Sequence, residues 1–79
     1  MTNLEKYKNA FVEAFKINEA EVEGLKYQDI QAWDSVGHMN LIAAIETAFD
    51  IMFEADDIID LSSFEKGKEI LSKNYNIEF

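Results

Sequence analysis

The chain has no cysteine. That excludes disulfides, thiolate nucleophiles and cysteine metal sites, and it suits a reducing compartment. A thiol that does chemistry here has to be imported. Long apolar runs are missing too: the longest, Leu41 to Ile45, is far too short to span a bilayer. No signal-peptide pattern opens the sequence, so a cytoplasmic protein with no membrane partner is expected. Lysine and arginine are absent between Lys26 and Lys66, where Asp29, Asp34, Glu46, Asp50, Glu54, Asp56, Asp57, Asp60 and Glu65 lie, within a net charge of -9. Such a surface repels nucleic acid and steers basic protein patches into fast, salt-sensitive encounters. The plainer reading of the same acids is a solvated face that keeps the protein soluble.

What is present fits one small domain spanning 1–79: 79 residues with 48% hydrophobic content bury a modest core and leave no room for a deep catalytic cleft. Thr2-Asn3-Leu4-Glu5 reads as a capping box, followed by Leu4, Tyr7, Phe11, Ala14 and Phe15 on one face of a helix from about Asn3 to Lys16. Ile17 to Trp33 forms a long connection anchored at Val22, Leu25, Tyr27, Ile30 and Trp33. From Ser35 on, Leu41, Ile42, Ile45, Ala48, Phe49 and Met52 recur at helical spacing, so a second amphipathic helix starts there. Ala55 to Asp60 suits a short helical turn or two. Ser62-Ser63-Phe64-Glu65 reads as another capping box, opening a last helix with Phe64, Ile70, Leu71 and Tyr75 inward. No strand-like alternation and no internal repeat interrupts this pattern. The expected fold is all-α: an antiparallel four-helix bundle with three main helices, one short third helix and a long first loop.

Ser35 is the candidate functional residue. A helix entrance exposes backbone N–H groups and the positive end of the helix dipole, which favour an attached anion, a phosphate above all. The structural alternative is an N-cap whose hydroxyl satisfies one backbone donor. His38, three positions on, is expected at the surface. A Ser35-His38-Asp34 triad can be drawn, but it would crowd one exposed helix end with no oxyanion hole, no pocket and no remote group to orient the imidazole. Trp33 reads as a core anchor before it reads as a partner hot spot. Met39 fits an inward or a partner-facing position equally. Asp56, Asp57 and Asp60 lack the alternating ligands, central glycine and closing glutamate of a calcium loop, so no metal site is expected.

Asp34-Ser35-Val36, with the helix behind it, resembles the attachment motif of acyl carrier proteins. The resemblance covers most of the chain: Ala44-Ile45-Glu46-Thr47-Ala48-Phe49-Asp50-Ile51 is similar to the end of that family's second helix, and Asp56-Asp57-Ile58-Ile59-Asp60 to its short third helix. It implies that Ser35 carries 4'-phosphopantetheine taken from coenzyme A, with Asp34 and Val36 framing the site and His38 near the phosphate. It also implies a monomeric, non-enzymatic carrier of acyl or aminoacyl thioesters, served by a phosphopantetheinyl transferase and by acyl-loading and acyl-transferring enzymes with basic docking patches. Val36, Met39, Glu46, Asp50 and Asp56 are the partner-recognition residues on this view. Gly37 and Asn40 stand where primary fatty-acid carriers have acids, as do Thr47 and Ala48. The dilution points to a specialised carrier, of the kind used for polyketides, nonribosomal peptides or surface polysaccharides, and Gly37 leaves room for a partner to approach. The reading from another class is a small acidic helical interaction protein in which Ser35 is only a helix N-cap.

Overall fold

Thr2 Oγ1 accepts from the Glu5 amide at 3.1 Å and the Glu5 carboxylate accepts from the Thr2 amide at 2.9 Å, closing the capping box that starts α1, Asn3–Phe15. The computed structural model describes Met1–Phe79 and contains three further helices and no strand: α2, Ser35–Phe49; α3, Ala55–Asp60; and α4, Phe64–Asn74. No helix is long and apolar enough to cross a membrane.

Helix α1 ends at Lys16, which takes the left-handed conformation (φ 57°) and donates its amide to the Val12 carbonyl. It buries Tyr7, Ala10, Phe11 and Phe15, while Leu4 and Ala14 are only half-buried at the edge of that face. The long connection contains one 3₁₀ turn, Glu19–Glu21, and drops Val22, Leu25 and Trp33 into the core. Tyr27, expected as another anchor, instead stays at the surface with 37% of its area exposed.

Trp33 is fully buried, as its default reading requires, and the rings that hold it come from α1: Phe11 lies 5.6 Å and Phe15 5.2 Å away between centroids. Such aromatic contacts add about 1 kcal/mol each beyond area burial, so the residue two positions before Ser35 is firmly fixed. Tyr7 contributes from the same helix. Its buried hydroxyl donates to the Phe64 carbonyl at 2.7 Å, which sets the start of α4, and burial with nearby Glu65 pushes the phenol well above its ordinary range, so it remains a donor.

Two boundaries differ from expectation. Helix α4 is capped by Ser63, which accepts from the Lys66 amide at 3.0 Å, and not by Ser62 with Glu65. The shift has a tertiary cause: the Tyr27 amide donates to the Ser62 carbonyl and the Phe64 amide to the Leu25 carbonyl, holding the incoming chain extended against the loop for one more residue. Met52 lies beyond the end of α2 and is 85% exposed, so it is not part of that helix's buried stripe.

Candidate functional site

Ser35 is the first residue of α2, and the cap is supplied by its neighbour. Asp34 Oδ1 accepts from the Gly37 amide at 2.8 Å and the Asp34 carbonyl accepts from the His38 amide at 2.7 Å. The reading of Ser35 as N-cap is therefore corrected. Its hydroxyl is exposed and takes part in none of the side-chain hydrogen bonds of the fold. The backbone N–H groups of Ser35 and Val36 precede His38, the first amide of α2 with a backbone acceptor, and have no protein partner, so they remain available to an anion.

Gly37 is buried, and a Cβ built on it would fall inside the contact distance of the Ala32 carbonyl oxygen. The space expected for a partner is occupied by the chain's own loop. Gly37 is needed so that the segment carrying Trp33 can lie against the first turn of α2.

His38 is also corrected. It is half-buried, with both ring nitrogens engaged: Trp33 Nε1–H donates to Nδ1 at 2.9 Å, and Nε2 lies 2.7 Å from the Ile58 carbonyl oxygen. Since the indole can only donate, Nδ1 must accept, so the hydrogen bonds assign the ring proton to Nε2, which donates to Ile58. Neither nitrogen is left to take the Ser35 proton or to meet a phosphate. A Ser-His-Asp arrangement does not form.

Beside Ser35 opens a pocket of about 380 Å³, lined by Tyr27, Ser35, His38, Met39, Ile58, Ile59, Leu61 and Ser62. Met39 points outward onto it, 53% exposed, and Val36 is exposed on the same turn. Tyr27, Ile58, Ile59, Leu61 and Ser62 are site residues that helical periodicity did not reveal. They belong to the long loop, α3 and the turn after it, and only the fold brings them to Ser35.

The acids expected to meet partners are scattered by comparison. Asp50 terminates α2 in the left-handed conformation (φ 55°), and at about 1.5 Å of rise per residue it lies some 20 Å from Ser35 along the helix. Glu46 is half-buried and its carboxylate accepts from the Phe53 amide at 2.9 Å, so it holds the chain leaving α2. Asp56 is exposed. Asp57, counted with the surface acids, is buried and accepts from Asn74 Nδ2 and from the Tyr75 hydroxyl. No group of three or more His, Cys, Asp or Glu is close enough to hold a metal ion.

Among the acids between Lys26 and Lys66, Glu65 alone has a basic partner, Lys68 Nζ at 3.8 Å. Asp50, Glu54, Asp56 and Asp60 are exposed and unpaired, so screening their repulsion should stabilise the fold. Thermal melts from low to moderate ionic strength are expected to rise by about 5 °C, roughly 1 kcal/mol for a domain of this size. A flat midpoint would mean that this repulsion is negligible.

Comparison with protein-family models, with curated proteins and with solved structures yields no match.

Proposed function

We propose that this chain is a carrier that holds acyl or aminoacyl groups as thioesters on a 4'-phosphopantetheine arm attached to Ser35. The observation that carries the reading is the state of Ser35: an exposed hydroxyl at the first position of a long helix, relieved of capping by Asp34 and free of hydrogen bonds. The resemblance of Asp34-Ser35-Val36 to the acyl carrier attachment motif supplies the chemical identity of the group. The residues fit that group, since the unpartnered Ser35 and Val36 amides favour its phosphate and the apolar pocket beside them accepts what the arm carries. The arm brings the thiol that the cysteine-free sequence lacks.

In this reading the chain's own residues orient and present the arm and perform no chemistry. Asp34 fixes the first turn, Trp33 anchors the loop before it, and Val36 and Met39 offer apolar contact to an enzyme over Ser35. Asp50 and Asp56 contribute to the long-range attraction of basic patches on a phosphopantetheinyl transferase and on loading or transfer enzymes. The fold that goes with it is an antiparallel bundle in which α1, α2 and α4 are the main helices and α3 the short one, working as a cytoplasmic monomer.

The test is intact-mass spectrometry after incubation with coenzyme A, magnesium and a broad-specificity phosphopantetheinyl transferase. One phosphopantetheine per chain is expected. An unchanged mass under conditions that convert a known carrier would overturn the reading.

A further inference from the structure

We propose that His38 is a positioning residue whose imidazole latches α3 across the pocket beside Ser35 and so sets how far that pocket opens. The consequence for cargo rests on the carrier reading; the latch rests on hydrogen bonds alone.

Helix α3 has six residues, too few to sustain itself, and it is held from outside at both ends. At its start, the Glu54 amide donates to the Tyr75 hydroxyl at 2.7 Å, while Tyr75 and Asn74 donate to the Asp57 carboxylate at 2.8 and 2.9 Å. Those ties run to α4. Toward its other end lies the Ile58 carbonyl, one of the final acceptors that no helical amide follows, and His38 Nε2–H fills it. This is the one side-chain hydrogen bond joining α2 to α3.

Both partners of that bond, His38 and Ile58, line the pocket. The bond therefore fixes the separation of two of its walls. The ring is aimed by the core: Trp33, fully buried, lies edge to edge and nearly coplanar with the imidazole, 13° between the ring planes, and donates to Nδ1, which directs Nε2 toward α3. Trp33, His38 and Ile58 thus form a relay from the aromatic core to the pocket wall. With the relay broken, α3 keeps its ties to α4 and swings away from α2 at the end nearest Ser35.

Two substitutions divide the relay. The carboxamide of Gln overlays Nε2 of histidine, and that of Asn overlays Nδ1. His38→Gln retains a donor toward Ile58, and His38→Asn retains only an acceptor toward Trp33. In the unmodified protein, hydrogen exchange at the Leu61 amide, which donates to the Asp57 carbonyl, reports on α3; the Lys16 amide reports on α1. His38→Asn is expected to speed Leu61 exchange about fivefold, the loss of one hydrogen bond, and to leave Lys16 unchanged, while His38→Gln stays within about twofold of the parent at both. Equal acceleration by the two variants, or equal acceleration at Leu61 and Lys16, would overturn the latch. Imidazole nitrogen shifts of the parent protein give a check that needs no variant: a proton on Nδ1 instead of Nε2 also overturns it.

For the consequence, each protein is loaded with an octanoyl phosphopantetheine arm and its thioester cleaved with hydroxylamine. About fivefold faster cleavage is expected in His38→Asn only. Equal rates would remove His38 from control of the pocket. Failure to load any of the proteins would sink the carrier reading and leave the exchange result standing.

Discussion

Ser35→Ala is expected to abolish phosphopantetheine attachment completely while leaving the melting temperature where it was. The two halves of that result are decided by different atoms. Attachment needs the Ser35 oxygen, and no other hydroxyl stands at the start of α2. Stability does not need it: Asp34 already caps the helix, the Ser35 hydroxyl has no hydrogen bond to lose, and alanine is the better helix former by a few tenths of a kcal/mol. Were Ser35 merely a cap in an acidic interaction protein, the same substitution would cost about 1 kcal/mol and change nothing else. Asp34→Ala provides the internal reference, with an expected loss of about 1 kcal/mol as the Gly37 amide loses its acceptor. Intact mass and a thermal melt on the two variants separate the readings. A destabilised Ser35→Ala beside an unaffected Asp34→Ala would reverse the assignment of the cap.

Those features that depend on neighbours a few residues apart were legible in the sequence. The Thr2–Glu5 box, the opening of α2 at Ser35 and the short α3 all follow from local capping and periodicity. Trp33 could be read as core because a lone tryptophan has few other places to go in a small domain. The misreadings share one cause, contacts between segments far apart in the chain. Ser63 displaces Ser62 as the cap because the Tyr27 and Leu25 loop pairs with the chain just before α4. Glu46 acts as a strut that its spacing does not announce, because the backbone folds back so that Phe53 reaches it. Asp57 leaves the surface because Asn74 and Tyr75 close over it. His38 leaves the surface because Trp33 and Ile58, on opposite sides of it in sequence, converge on its two nitrogens. The candidate site was half legible on the same terms. Ser35, His38 and Met39 come from α2 and are found by helical spacing, whereas the facing wall, from Ile58 to Ser62, has no periodicity that points to α2.

Gly37→Ala should be strongly destabilising although the change is conservative. Helix propensity alone argues the opposite, since alanine gains as much as about 1 kcal/mol over glycine inside a helix. The position overrides the propensity. The new methyl group would meet the backbone carbonyl of Ala32, which cannot be trimmed by choosing another rotamer. Relief requires the loop to move, and the loop is held: the Trp33 amide donates to the Ile30 carbonyl, the Gln28 amide to the Trp33 carbonyl, and the indole is packed against Phe11 and Phe15. Moving α2 instead would strain the bond from the Gly37 amide to Asp34 and pull His38 from Trp33. Overpacking of this kind costs about 3 kcal/mol, so a net loss of about 2 kcal/mol is expected after the propensity gain. That corresponds to a fall of roughly 10 °C in melting temperature for a domain of this size. Asn40→Ala, at an exposed position on the same helix, is the control and should stay within about 0.5 kcal/mol of the parent. Attachment at Ser35 is expected to slow in Gly37→Ala, because the first turn that presents the hydroxyl is the element displaced. A Gly37→Ala protein that melts above its parent would mean that the loop yields freely, and the claim that Gly37 exists to seat Ala32 against α2 would be withdrawn.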